Sequence, residues 1–246
     1  MLNIDKIKDY KLFNADCFKE LKKIPDNSID LILCDPPYNL ANYSTGNMNF
    51  SWRAEVNNDV AEWDETPLNP ADLVEEFKRV IKPTGNIFIF TSYNLLGKYH
   101  EVFDPEFDTF QFMVWHKTNP IPNIRKSSFL NSCELIVCLW NKGHTWNFSK
   151  QNEMHNFIES PICMGAERLK QPKHPTQKPI KILEHIIKIA SNENDVVLDM
   201  FMGVGSTGVA CRNLNRRFIG IEVDKEYYNA SVERMNTTKE RTLKKK

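Results

Sequence analysis

The chain has no apolar run long enough to cross a membrane. Stretches such as Ile87–Phe90 end after a few residues, where a helical span needs about 20. Its six cysteines, Cys17, Cys34, Cys133, Cys138, Cys163 and Cys211, form no CxxC pair and show no metal-ligand spacing. That argues against a zinc scaffold and reads as reduced cytosolic thiols. Neither charge is in excess, with 32 Lys and Arg against 32 Asp and Glu. Repeats are absent, and so is any low-complexity tract beyond a short lysine tail. The opening MLNIDKIKDY mixes both charges without an apolar segment, so no secretory signal is expected and a cytoplasmic protein is. What is present suits a folded chain: 246 residues, 41% hydrophobic and 26% charged. That is enough for one domain, or one large domain with an insertion, and tight for two.

The zero net charge hides an asymmetry. Residues 1–110 carry 11 Lys and Arg against 19 Asp and Glu, whereas residues 111–246 carry 21 against 13. Segregation of this kind can turn a positive face toward a polyanion. The same counts fit chance clustering plus a basic tail, since Lys239, Arg241 and Lys244–Lys246 supply five of the charges.

Short β-rich runs alternate with helical patterns. Lys11–Ala15, Ile29–Cys34, Asn86–Thr91, Phe110–His116, Leu135–Trp140, Val196–Leu198 and Arg217–Ile221 read as strands. Several are continuous apolar runs of the kind buried on both faces of a parallel sheet. Helical spacing covers Ala71–Ile81, Leu95–Phe103, Ile180–Ala190, Thr207–Leu214 and Lys225–Met235, and Pro83–Thr84–Gly85 ends the first of these. The alternation implies a three-layer α/β architecture. Two stretches fall outside it: Asn39–Asn69, rich in Asn with Trp52 and Trp63, and Asn141–Lys173, with Trp146, Phe148 and scattered basic residues. Structureless loops of that length are usually functional or disordered.

Asp199–Met–Phe–Met–Gly203–Val–Gly205–Ser–Thr–Gly208 follows a strand and opens a helix. Glycine there permits a tight turn and close approach of a ligand, and the helix N-terminus favours a negative group. Glu222, nineteen residues after Gly203, ends the next strand, where it can accept from a ribose diol. Gly203–Gly208 fits G-x-G-x-x-G, so a dinucleotide fold is the rival. Such a fold starts with this turn, whereas here most of the sheet precedes it. That order suits a cofactor with one nucleoside and no pyrophosphate.

The strand Ile29–Cys34 runs into Asp35–Pro36–Pro37–Tyr38. A carboxylate and an aromatic ring then stand at the carboxyl edge of the sheet, where ligands of open α/β folds bind. The prolines fix φ and leave carbonyls free to accept. An amine could donate one hydrogen to Asp35 and the other to the Pro36 carbonyl, which frees its lone pair for attack on an electrophile. Tyr38 offers a face on which a base could stack, worth about 1–3 kcal/mol. The bland alternative is a rigid turn with a capping aspartate.

With both motifs in place, the chain resembles the β group of DNA amino-methyltransferases that use S-adenosylmethionine, in which the tetrapeptide precedes the glycine loop. Residues 35–38 match the family motif without change, and the likeness extends over most of the chain, closest to the MboII-type adenine methyltransferases of restriction–modification systems. It implies a Rossmann-like three-layer α/β/α methyltransferase fold with a mostly parallel seven-stranded sheet in permuted order, as a single domain over 1–246. Asp35, Pro36, Pro37 and Tyr38 would be catalytic. Asp16 and Cys17 resemble the adenine-contacting strand end, and His174, Thr176 and Lys178 the segment closing over the cofactor's methionine. Asp199, Phe201, Gly203, Gly205, Ser206, Thr207 and Glu222 complete the cofactor set, and no metal is implied. Trp115–Pro122 and Glu134–Trp140 also resemble family segments. The glycine loop departs from the usual pattern, with Met200 for a proline and Val204 and Ser206 for a serine and a threonine.

The exocyclic amine of a duplex base lies inside the stack, so the target nucleotide must be flipped out, at a cost of a few kcal/mol. Phosphate contacts from the basic half would offset part of it. Lys117, Asn119, Asn123, Arg125, Lys126, Arg168 and Lys170 stand on expected loops near the same sheet edge. The resemblance places target recognition at 141–173, with 39–68 as a mobile loop. It leaves room for a homodimer and for a cognate restriction endonuclease. Transfer to cytosine N4 needs the same chemistry, but there the first motif residue is more often serine, so Asp35 favours adenine N6. A Rossmann-like binding module without methyl transfer is the reading from another class, and the intact tetrapeptide speaks against it.

Overall fold

In a computed structural model of the chain, residues 1–38, 48–50, 53–56, 68–123 and 126–238 are described. Ten strands, β1 (Tyr10–Asn14), β2 (Ile29–Cys34), β3 (Met48–Phe50), β4 (Arg53–Val56), β5 (Ile81–Thr91), β6 (Thr109–Lys117), β7 (Cys133–Trp140), β8 (Phe157–Ser160), β9 (Val196–Asp199) and β10 (Arg217–Glu222), alternate with helices. The helices are α1 (Cys17–Leu21), α2 (Ala71–Val80), α3 (Leu96–Phe103), α4 (Ile180–Ala190), α5 (Ser206–Asn213) and α6 (Lys225–Thr237).

Among the described residues eight strands form one sheet in the order β1-β10-β9-β2-β5-β7-β6-β8, while β3 and β4 pair antiparallel as a separate two-stranded sheet. Within the large sheet β7 alone runs against the rest. The seven strands expected from sequence are all present, but the sheet has eight. The addition, β8, pairs parallel with the β6 edge through Val114–Phe157 and His116–Glu159. Its sequence, Phe–Ile–Glu–Ser, has two exposed residues and one buried, so it lacks the apolar run that marks a central strand.

The central strands are buried on both faces, and their side chains alternate between two cores. Ile32 and Cys34 of β2, Ile87 and Ile89 of β5, and Ile219 and Ile221 of β10 share one core with Leu73, Phe77, Tyr99 and Phe103 of α2 and α3. Leu31, Leu33, Phe88, Phe90 and Phe218 face the other way, onto Ile182, Ile186 and Ile187 of α4 and Val209 and Ala210 of α5. Three layers result. The expected helix to Ile81 stops at Val80; Ile81 is extended and starts β5, and Pro83 disfavours helical backbone at Lys82, so the helix cannot resume there. The register then jumps from Ile29–Ile81 to Leu31–Asn86, so residues 82–85 bulge out between paired positions.

Candidate active site at the carboxyl edge of the sheet

Strands β9 and β2 are hydrogen-bonded neighbours, through Leu31–Val197 and Ile32–Leu198. The chain leaves β2 toward α2 on one face and leaves β9 toward α5 on the other. A crevice opens where such connections diverge, and it brings the glycine loop beside Asp35–Tyr38.

Asp35 sits just beyond β2. The Tyr38 hydroxyl donates to its Oδ1 at 2.6 Å, and Lys178 Nζ donates to its Oδ2 at 2.5 Å. Lys178 is also 3.2 Å from Glu134 Oε2, and Lys117 Nζ is 2.8 Å from Glu134 Oε1. Burial raises the Asp35 pKa, and the Lys178 ammonium opposes that rise. Burial pushes on Glu134 in the same direction, but Lys178 and Lys117 outweigh it and hold that carboxyl below its usual range. Cys34 is buried at the end of β2, with its thiol pushed far up by burial.

The glycine loop turns through two left-handed residues, Gly203 at φ +50° and Gly205 at φ +79°. A side chain at Gly203 would begin 2.8 Å from His174 Nε2, so the bare backbone is what lets the His174 segment close over the loop. Gly203 N donates to Glu222 Oε2 at 2.9 Å, and Asp224 N to Glu222 Oε1 at 2.8 Å. Burial, then Lys178 and Arg168, pull the His174 pKa down to about 4, so its imidazole is neutral near pH 7. Asp199 accepts from Phe201 N and from the Thr207 hydroxyl, at 3.0 and 2.6 Å. Burial nevertheless pushes its pKa up to about 7.

That shift has a measurable consequence. Folded protein holds the Asp199 proton more tightly than the unfolded chain, so the stability gained from the neutral carboxyl is full below about pH 4. It declines as pH rises and is gone above about pH 7. Asp199→Asn stays neutral and can keep both hydrogen bonds, so thermal unfolding at pH 5 and pH 8 should differ less in the variant than in the parent. An unchanged difference would remove Asp199 as its source.

A cavity of about 360 Å³ is lined by Asp16, Cys17, Phe18, Phe201, Glu222 and Tyr227, and reaches Asp35, His174 and Thr176. That volume falls in the range of small-molecule sites. One Asp16 oxygen caps α1 through Lys19 N at 3.0 Å, which stands Asp16 at the cavity wall. A narrower pocket lies beside it, bounded by Asp35, Phe90, Lys178, Asp199, Ser206 and Thr207. Asp35 belongs to both. The carboxylates at one end, the apolar walls and the glycine turn fit a nucleoside cofactor carrying an amino-acid tail.

Of the residues expected to meet DNA, several have internal partners. Lys117, expected on a loop, ends β6 and is paired with Glu134. Asn119 accepts from Ile162 N, Asn123 bonds the Ser128 carbonyl and Lys126 N, and Arg168 donates to the carbonyls of His174 and Pro175. Lys126 and Lys170 are exposed. Arg125 and most of 39–68 lie outside the described residues. Glu134 was missed as a site residue; it hides in an apolar strand, and the one pointer to it was the likeness of its segment to the family. Among the described residues no cluster of His, Cys, Asp and Glu could hold a metal, and no helix is long and apolar enough to cross a membrane.

Fold and site together define a Rossmann-like α/β protein in which a carboxylate next to a proline pair borders a cavity sized for a small-molecule cofactor. A family model described as DNA methylase, N6_N4_Mtase, matches residues 29–233, and the chain belongs to that family. It is 35% identical to the Type II methyltransferase M2.LlaDCHI of Lactococcus lactis subsp. cremoris, over 92% of this chain and 88% of that protein. Identity to the Type II methyltransferase M2.DpnII of Streptococcus pneumoniae is 33%, over 93% and 90%. Among solved structures, the M1.HpyAVI complex with SAM superposes with a TM-score of 0.69 at 29% identity, over 92% of this chain and 99% of that one. The cytosine-N4-specific PvuII DNA methyltransferase shares the fold, with a TM-score of 0.66 at 19% identity, over 94% and 89%. This protein is a DNA methyltransferase, and its cofactor is S-adenosylmethionine.

Proposed function

We propose that the protein methylates the exocyclic N6 of adenine in DNA, with Asp35 as the group that accepts the target amine. The observation that carries this reading is the position of Asp35 on the wall shared by the two cavities, within reach of both a bound cofactor and an entering base. When bound, S-adenosylmethionine supplies an electrophilic methyl group on a sulfonium. Asp16 and Glu222 would take the hydrogen-bond donors of its nucleoside, Cys17 and Phe201 would line that nucleoside, and the backbone at Gly203 and Gly205 would lie against it. Asp199, His174, Thr176, Ser206 and Thr207 would surround its amino-acid end. Asp35 and the Pro36 carbonyl each accept one N–H of the base, so the nitrogen lone pair turns away from the ring. Pro37 stiffens the turn, and Tyr38 stacks on the flipped base.

An aspartate in the first motif position favours adenine over cytosine. Residues 141–173 serve as the recognition element of this single domain, with the exposed Lys126 and Lys170 on phosphates. The Type II relatives support a place in a restriction–modification system, with a cognate endonuclease, a cytoplasmic setting and a homodimer as parts of the same reading. DNA treated with the protein and cofactor, then digested to nucleosides and chromatographed, should yield N6-methyl-2′-deoxyadenosine. N4-methyl-2′-deoxycytidine instead would overturn the adenine assignment and leave the tetrapeptide chemistry standing.

A further inference from the structure

Asp35 is held by groups whose motifs pointed elsewhere or nowhere. Four charged side chains alternate in a row: Asp35, Lys178, Glu134 and Lys117, separated by 2.5, 3.2 and 2.8 Å. They come from the turn after β2, the segment before α4, the start of β7 and the end of β6. All are largely enclosed, at 20, 6, 16 and 12% side-chain exposure. Buried ions persist only when each is paired and hydrogen-bonded, and this row of two carboxylates and two ammoniums meets that condition.

A lysine ammonium has three donors. Those of Lys178 face three acceptors, Asp35 Oδ2 at 2.5 Å, Glu134 Oε2 at 3.2 Å and the Tyr38 hydroxyl at 3.4 Å. The rings of Phe90 and Tyr38 lie 5.0 and 5.4 Å away. With its donors committed in this way, Lys178 is poorly placed to bind the cofactor.

We propose that Lys178 and Glu134 are positioning residues for methyl transfer: Lys178 fixes Asp35 as an acceptor, and Glu134, braced by Lys117, fixes Lys178. The proposal rests on the reading of Asp35 as the amine acceptor. Lys178 then acts through Asp35 instead of through the cofactor, and Lys117 through Glu134 instead of through a phosphate.

The charge row also determines how Asp35 titrates. The groups facing it among the described residues are Tyr38, Lys178 and Glu134, with Cys34 before it, Tyr99 from α3, Asp199 from β9 and, across the two cavities, His174, Asp16, Asp72 and Glu222; Lys117 acts on it only through Glu134. Tyr99 and Cys34 are held neutral by burial, and His174 is neutral near pH 7. Lys178 therefore opposes the upward push on Asp35, while Glu134 adds to it.

Single-turnover methyl transfer to DNA, measured across pH at saturating cofactor, separates the roles. Lys178→Met should slow transfer roughly 10- to 100-fold and move the acid limb of the profile to higher pH, with affinity for S-adenosylmethionine unchanged within about threefold. Glu134→Gln should also slow transfer but move the acid limb to lower pH, because the charge that pushes Asp35 up is gone. A merely structural role would not give shifts of opposite sign. Lys178→Arg, which keeps the cation, should slow transfer without moving the limb, and it carries the test should Lys178→Met not fold. A Lys178 variant that binds the cofactor at least about tenfold more weakly with an unmoved limb would overturn the proposal. So would limbs that shift in the same direction in Lys178→Met and Glu134→Gln. Asp35→Asn, run in parallel, addresses the parent reading: wild-type rates there would remove Asp35 itself, whatever Lys178 does.

Discussion

Asp35→Ala should lower methyl incorporation into DNA by about a thousandfold or more, on the scale of losing one positioned proton acceptor from a water-poor site. Cofactor affinity should stay within about threefold of the parent, because both Asp35 oxygens are engaged by Tyr38 and Lys178 and the nucleoside's partners are assigned to Asp16 and Glu222. Folding should survive, since Lys178 keeps Glu134 at 3.2 Å as a counter-ion when Asp35 is gone. Asp35→Asn retains an acceptor oxygen without the charge and should fall between the two. Radiolabelled methyl transfer alongside equilibrium titration with S-adenosylmethionine reads both quantities, and a fully active Asp35→Ala protein would take the tetrapeptide out of the chemistry.

Gly205→Asp should weaken S-adenosylmethionine binding by about a hundredfold or more, combining a backbone penalty of about 1–3 kcal/mol with a charge placed at the loop. Gly205 holds φ +79°, and a Cβ there would begin 3.0 Å from Ser231 Cβ and 3.3 Å from Ser231 Cα. Ser231 is fully buried on α6, so the loop, not the helix, must yield, and the amides after Gly205 move with it. Gly205→Ala carries the strain without the charge and should show a smaller loss. Calorimetric titration gives the affinity, and a thermal melt of the same sample separates a displaced loop from an unfolded protein. A folded Gly205→Asp protein with parental affinity would mean that the loop does not hold the cofactor.

Much of the frame was legible because it is written locally. The strand patterns at Ile29–Cys34 and Val196–Leu198 match β2 and β9 within one residue, since strands buried on both faces are apolar at most positions, Asp30 in β2 being held by a hydrogen bond from Val196 N. The glycine loop stood out as a tight turn, and it turns through positive φ at Gly203 and Gly205. The misses share a different cause. Phe157–Ser160 sits at a sheet edge, where one-sided burial leaves no apolar signature. The short helix α1, capped by Asp16, is five residues long, too brief for a helical period to appear. Lys117 and Arg168 looked like surface cations because nothing in their neighbours along the chain announces a carboxylate or a carbonyl waiting elsewhere.

By itself, then, the sequence determined the alternation of strands and helices, the two turns where the backbone has special freedom or none, and the kind of chemistry an aspartate before two prolines can support. These follow from steric rules that act over a few consecutive residues. Only the tertiary structure decided that Lys178 and Glu134 stand against Asp35. The pairing of a buried charge depends on which strands become neighbours, and β2, β7, β6 and the segment before α4 are brought together by burial of two cores rather than by any local preference.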